Sequence, residues 1–105
     1  MIQLTKAEAK IMKIIWAAGC DLDVREVMGR SAALFHTDWK PQTVSTLMAR
    51  LVKKDILSMY RQGRTFLYHP LIPLDEFLPS MLQDMVDFWY DGDAEAAIRG
   101  IQQLK

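Results

Sequence analysis

The sequence has almost no cysteine and no long hydrophobic run. Cys20 is the only cysteine among 105 residues, which excludes an internal disulfide and leaves no second thiol for a metal site. We expect Cys20 to be a half-buried structural residue at a helix end. No apolar stretch reaches the roughly 20 residues that a membrane helix needs, and the N-terminus lacks a signal-peptide pattern. These absences predict a cytoplasmic protein with no metal, cofactor or membrane association.

The sequence also lacks a net charge, since 13 Lys and Arg balance 13 Asp and Glu. The charges are distributed unevenly, however. Residues 1–36 carry +1, residues 37–69 have six basic against two acidic side chains (+4), and residues 70–105 have two against seven (−5). A balanced total therefore allows a basic binding face in the middle third, with an acidic segment that serves solubility or self-association.

Catalytic signals are absent as well. His36 and His69 lie far apart in the sequence, no glycine-rich phosphate loop occurs, and Asp91-Gly92-Asp93 is typical of a turn. We expect His69, near a strand end, to be a structural or surface residue. The sequence therefore predicts that the protein is not an enzyme.

Hydrophobic periodicity predicts three helices in the first half of the chain, over residues 5–18, 24–35 and 41–54. Thr5 with Glu8, and Asp23 with Glu26, have the spacing of capping boxes at the starts of the first two. Pro41 suits the first position of the third helix, where a missing amide hydrogen costs nothing.

A β-hairpin is predicted after the third helix, with strands Ile56–Arg61 and Thr65–His69 flanking Gln62-Gly63-Arg64. Leu22 is expected to add a short strand. Prolines 70 and 73 mark a boundary, after which two helices separated by a break are predicted, over 74–89 and 94–104. The chain is thus predicted to be mainly α with a small antiparallel β wing, divided into a first domain (1–73) and a C-terminal helical region (74–105).

Three helices followed by a hairpin is the element order of a winged helix-turn-helix, whose third helix enters the DNA major groove. A step of 100° per residue places Gln42, Thr46, Arg50 and Lys53 within about 80° of one another, opposite the apolar Val44, Leu47 and Leu51. Gln can bond an adenine edge, Thr can meet a thymine methyl, and Arg can bond guanine or phosphate. Lys53 and Lys54 are expected to hold phosphates.

A polar stripe on an isolated helix is more often a solvated face. Here the hairpin tip Arg61-Gln62-Gly63-Arg64 adds basic residues on an element expected beside that helix, and Gly63 permits a tight turn. Arg61 and Arg64 are expected to reach a phosphate or the minor groove. The combination favours binding to double-stranded DNA; a winged helix used only for protein interaction remains the alternative.

Four segments of the chain are distinctive when taken together: Leu4-Thr5-Lys6-Ala7-Glu8 to Met12-Lys13-Ile14-Ile15-Trp16, Trp39-Lys40-Pro41-Gln42-Thr43-Val44, Arg50-Leu51-Val52-Lys53-Lys54 and Gly63-Arg64-Thr65-Phe66-Leu67-Tyr68. They resemble the penicillinase repressor (BlaI/MecI/CopY) family of winged-helix transcriptional repressors. The resemblance implies a homodimeric repressor that binds a palindromic operator. It also implies that Gln42, Thr43, Thr46 and Arg50 face bases or nearby phosphates, and that Arg61 and Arg64 face the backbone.

The sequence departs from the family at a few positions. Lys40 and Asp55 stand where relatives often have Ser and Gly, and the cysteine cluster of the copper-responsive branch is missing. Several relatives are inactivated by proteolysis at an Asn-Phe bond, and the alignment of the aromatic stretch before it places Gly100-Ile101 there. Release by that cleavage is therefore not expected, and the inducing protease or ligand stays open.

The C-terminal region carries apolar side chains that a short segment cannot bury alone. We expect them to form a homodimer interface; the alternative is that this helix folds back on its own winged domain. The expected interface residues are Leu78, Met81, Leu82, Met85, Phe88 and Trp89.

Overall fold

The computed structural model describes residues 2–105 and confirms the predicted winged helix architecture. The elements follow one another as α1 (Lys6–Ala18), α2 (Val24–Phe35), α3 (Pro41–Lys53), β1 (Leu57–Gln62), β2 (Thr65–Pro70), α4 (Leu74–Trp89) and α5 (Ala94–Gln102). They form two compact units, Ile2–Pro73 and Leu74–Lys105. No helix in the described range is long and apolar enough to span a membrane.

Side-chain caps fix the starts of α1 and α2 where the sequence predicts them. The Thr5 hydroxyl accepts from the Glu8 amide at 3.1 Å, while the Glu8 carboxylate accepts from the Thr5 amide at 2.8 Å. Asp23 and Glu26 make the same reciprocal pair at 2.8 and 3.0 Å. Each box satisfies amides that a helix start leaves without partners.

A residue with positive φ follows α1 and another follows α3: Gly19 and Asp55. α1 ends at Gly19, whose left-handed φ of 69° turns the chain and leaves Cys20 exposed, so the expectation that Cys20 is half-buried is wrong. α3 starts at Pro41 behind Lys40, which makes no side-chain cap. Asp55 has a φ of 60°, a conformation that glycine adopts at less cost.

β1 and β2 form an antiparallel hairpin, the wing, with register from Leu57 opposite Pro70 to Gln62 opposite Thr65. Both strands end one residue later than predicted, and β1 also starts one residue later because the Ile56 amide bonds the Leu51 carbonyl at 3.2 Å. Leu22, predicted to add a short strand, forms only an isolated β-bridge: its amide and carbonyl pair with Tyr68 at 3.4 and 2.9 Å.

The core of the first unit joins one face of each helix to the base of the wing. The Trp16 indole donates to the Ile72 carbonyl at 2.9 Å and ties α1 to the end of this unit. Burying one large aliphatic side chain contributes about 1.5–3 kcal/mol, so this core is the main source of stability. Its fully buried apolar members include Ile11, Met12, Ile15, Leu22, Val27, Val44, Met48, Leu51 and Ile56.

The second unit consists of α4 and α5 joined by a tight turn. Asp91 and Gly92 both have positive φ, 51° and 83°, and Asp93 caps α5 through the Ala96 amide at 3.1 Å. A Cβ on Gly100 would lie 2.7 Å from the Tyr90 hydroxyl. A larger residue at this position would therefore displace the Tyr90 side chain.

Candidate nucleic-acid interface

The outward face of α3 carries the side chains that the sequence predicts to read DNA. Gln42, Thr43, Thr46, Arg50 and Lys53 are all exposed, and the Thr46 hydroxyl donates to the Gln42 carbonyl at 2.9 Å. The opposite face is buried through Val44, Leu47, Met48 and Leu51. Since the core holds one face, the other can contact a ligand without repacking the helix.

Lys54, expected to hold a phosphate, has a different partner in the structure. Its ammonium donates to Glu8 Oε1 at 2.7 Å and to the Gln3 carbonyl at 2.8 Å. Lys54 is the residue after the last turn of α3, and its side chain is directed toward the start of α1. Lys53 alone therefore remains available for a phosphate at the end of α3.

Glu8 is a buried carboxylate, with a side chain only 1% exposed. Burial acts to raise the pKa of Glu8, but hydrogen bonds and charge from Lys54, together with the Thr5 amide, outweigh it, so the pKa is lowered from its ordinary value. Oε2 of Glu8 has no hydrogen-bond partner among the described residues. The ionised form of Glu8 is therefore stabilised by the hydrogen bonds that Oε1 accepts from the Lys54 ammonium and the Thr5 amide.

The tip of the wing presents Arg61 and Arg64 on either side of the turn at Gly63, whose φ is 64°. Arg61 Nε donates to the Gly63 carbonyl at 2.9 Å, and its guanidinium lies 6.0 Å from the centre of the Phe66 ring. Arg61 is thus held against the wing, while Arg64 faces a cleft beside α3.

The base of the wing is fastened to the loop before α2 by Asp21. One carboxylate oxygen accepts from the Tyr60 hydroxyl at 2.5 Å and the other lies 2.8 Å from His69 Nδ1. The Tyr60 hydrogen bond is the main reason that the pKa of Asp21 is lowered, and His69 adds to the effect. The same bond raises the pKa of Tyr60. His69 is thus an exposed surface residue paired with a carboxylate.

The apolar residues predicted to pair two chains are all exposed. Phe88 and Trp89 are both 73% exposed and contact each other edge to face, with ring centres 4.8 Å apart. α5 adds the exposed Ile98 and Ile101. On α4, side chains at i, i+4, i+7 and i+11 share a helix face. We call six exposed apolar residues of α4 the apolar arm face: Leu78, Met81, Leu82, Met85, Phe88 and Trp89.

Three polar residues of this region escaped prediction from the sequence: Glu8, Asp21 and Arg25. Glu8 was recognised as half of a capping box, yet no local pattern reveals a partner 46 residues away. Asp21 likewise pairs with residues 39 and 48 positions later. Arg25 follows the α2 cap and lines the cleft beside α3; its position in the first turn of a helix was the only available signal.

Comparisons with known proteins agree on one family. The family model described as penicillinase repressor matches residues 4–103. The penicillinase repressor of Bacillus licheniformis is 27% identical over 96 residues, which span 91% of this chain and 73% of that protein. The methicillin resistance regulatory protein MecI of Staphylococcus aureus is 25% identical over 93 residues, or 86% of this chain and 71% of MecI.

Solved structures show the same similarity. The Bacillus licheniformis BlaI monomeric form in complex with the blaP half-operator is 31% identical, with a TM-score of 0.59 over 73% of this chain and 90% of the solved BlaI chain. A CopR repressor structure is 38% identical, with a TM-score of 0.53 over 68% of this chain and 99% of the solved CopR chain.

Proposed function

This chain belongs to the penicillinase repressor family, whose members are DNA-binding transcriptional repressors rather than enzymes, and on that premise we propose that it represses transcription as a homodimer on a palindromic operator. The observation that carries the proposal is the exposed polar face of α3 opposite its buried apolar face. In this proposal α3 lies in the major groove of each half-site and the wing lies over the neighbouring backbone.

Individual roles follow from the chemistry of the exposed side chains. Gln42 can bond an adenine edge, Thr43 and Thr46 can contact a thymine methyl or a phosphate, and Arg50 can bond guanine in a bidentate manner. Lys53, Arg61 and Arg64 bind phosphates, which adds affinity without sequence information. Lys54 is omitted because Glu8 already engages its ammonium.

The base-reading role of α3 is tested with duplexes that the wild-type protein selects from a random pool. Arg50→Ala should weaken binding to the selected duplex by about 1–3 kcal/mol and leave the circular dichroism spectrum unchanged, because Arg50 is exposed. Lys53→Ala should weaken selected and random duplexes alike and reduce the salt slope by about one. Lys13→Ala, an exposed lysine on α1, is the matched control. An Arg50→Ala protein that binds the selected duplex as well as wild type refutes the assignment.

Dimerisation is proposed through the apolar arm face. Burying one of its large side chains against a partner contributes about 1.5–3 kcal/mol, and a monomer leaves all six in water. Residues 70–105 also carry a net charge of −5, which disfavours contact with DNA and suits a segment that pairs with its own copy. Two paired chains place their α3 helices on half-sites about 34 Å apart, or a multiple of that distance.

Sedimentation of the full chain tests the dimer. Phe88→Ser combined with Trp89→Ser should yield monomers that bind a half-site normally but lose affinity for the full palindrome. Leu71→Ser removes an exposed apolar side chain from the first unit and should remain dimeric. A double variant that stays dimeric contradicts the assignment of this face.

A further inference from the structure

A concave cleft of about 300 Å³ lies in the first unit between the start of α2, the middle of α3 and the wing. All three elements contribute polar side chains: Arg25 comes from α2, Ser45 from α3, and Arg64 and Thr65 from the wing. Phe66 and Tyr68 form its apolar wall. The cleft therefore opens beside the helix that is proposed to read DNA, but it uses residues of two further elements.

The positive charge of this cleft is not neutralised within the protein. Over residues 2–105, neither Arg25 nor Arg64 forms an ion pair with a carboxylate; the ion pairs found there join Lys54 to Glu8 and His69 to Asp21. The first turn of α2 lines the same space, and the start of a helix carries a partial positive charge that favours anions. The two arginines that line this cleft thus outnumber its single carboxylate, that of Asp23.

One acidic residue, Asp23, also lines the cleft, and its carboxylate is engaged at the start of α2. Its Oδ1 accepts the Glu26 amide at 2.8 Å, while Glu26 Oε1 accepts the Asp23 amide at 3.0 Å. The carboxylate of Asp23 therefore acts as the cap of α2. A negative ligand would approach from the side of the arginines and of Ser45.

We infer that this cleft holds one phosphate of the DNA backbone, bound by Arg25, Ser45 and Arg64, next to the groove that α3 occupies. This inference rests on the proposed operator binding and adds Arg25 and Ser45 to the interface. Guanidinium groups bind phosphate oxygens through paired charge-assisted hydrogen bonds, and a serine hydroxyl donates one more. A contact to phosphate fixes the position of the protein on the duplex without reading a base.

The test compares Arg25→Gln with Arg30→Gln in the full chain, because both arginines are exposed on α2 and only Arg25 lines the cleft. Binding to a random-sequence 30-bp duplex is measured between 50 and 200 mM NaCl. Arg25→Gln should flatten the plot of log K against log salt concentration by about 0.9 per protomer and reduce affinity about tenfold for random and selected duplexes alike. An equal flattening by Arg30→Gln would show a mere effect of net charge and would overturn the inference.

Single methylphosphonate linkages, which remove one backbone charge at a time, locate the contact. The wild-type protein should lose affinity at several linkages per half-site, and Arg25→Gln should be insensitive to one of them; Ser45→Ala should show a smaller loss of sensitivity at that same linkage. If no linkage depends on Arg25 while wild type binds duplexes well, the cleft is not a phosphate site and the proposed function stands. If wild type binds no duplex, the proposed function itself fails.

Discussion

Replacing Lys54 by Met tests whether the ion pair between α1 and the end of α3 stabilises the first unit. Methionine keeps the length of the lysine stem but removes the ammonium that donates to Glu8 at 2.7 Å and to the Gln3 carbonyl at 2.8 Å. The variant leaves the Glu8 carboxylate buried, with the Thr5 amide as its remaining donor.

The expected loss follows from the burial of Glu8. Removing one partner of a buried ion pair costs about 3–5 kcal/mol, because the other charge stays uncompensated. Lys54 is itself 36% exposed, so water can enter where the ammonium was and recover part of this energy. We therefore expect the free energy of unfolding to fall by about 2–3 kcal/mol at neutral pH.

The pH dependence of this loss gives a second, independent signature. In wild type the pKa of Glu8 is lowered, so its contribution to stability is present above the unfolded pKa and is lost as the pH falls through the folded pKa. Without Lys54, burial is opposed only by the hydrogen bonds from Thr5, so the pKa of Glu8 should rise. The difference in stability between variant and wild type should then be largest near pH 7 and should shrink as the solution is acidified.

Urea unfolding at several pH values, at one protein concentration, measures both effects. Lys53→Met is the matched control, and it should change stability by less than about 0.5 kcal/mol because Lys53 is exposed and makes no ion pair among residues 2–105. The double variant Glu8→Gln with Lys54→Met should be less destabilised than the sum of the single changes. A loss from Lys54→Met that is no larger than that from Lys53→Met, or that is independent of pH, refutes the reasoning.

Three further predictions concern other parts of the chain. Tyr60→Phe removes the main cause of the lowered pKa of Asp21, and an NMR titration should show that pKa rising toward 3.8. The stability that this carboxylate contributes should then be lost at a higher pH on acidification, whereas an unchanged pKa would contradict the assigned role of Tyr60. Asp55→Gly should raise stability by about 0.5 kcal/mol in urea unfolding, because relief of a left-handed conformation exceeds the added unfolded-chain entropy; a loss would speak against strain there. Producing cells exposed to a β-lactam should retain an intact chain by mass, whereas a fragment ending at Gly100 would reveal cleavage at the position of the relatives' site.

The parts of the fold that local sequence determines were predicted closely. The starts of α1 and α2 depend on capping boxes four residues long, and the boundaries of α3 depend on Pro41 and on an apolar stripe within one helix. The wing was predicted from aromatic and β-branched residues around Gly63, but β1 was displaced by one residue, because the Ile56 amide bonds the end of α3 rather than the hairpin. That choice depends on tertiary packing.

The polar partners could not be predicted, because they join residues that are far apart in the sequence. Lys53 and Lys54 are neighbouring residues of the same type. Only the direction in which the chain leaves α3 brings Lys54 to Glu8 and leaves Lys53 in solvent. The cleft beside α3 requires the relative placement of three elements. A helical projection describes one element at a time, so it identifies the face of α3 but not what lies beside it.

The bond from the Trp16 indole to the Ile72 carbonyl spans 56 residues and has a consequence for how the protein is made. Leu22 likewise pairs with Tyr68, so the first helix cannot complete its contacts until nearly the whole first unit has been synthesised. At about 5–20 residues per second, a ribosome needs roughly 3–11 s to extend the chain from Trp16 to Ile72. During that interval α1 can pack on α2 and α3 but lacks its contacts with β2 and Ile72, so the end of the wing, rather than the first helix, completes the first unit.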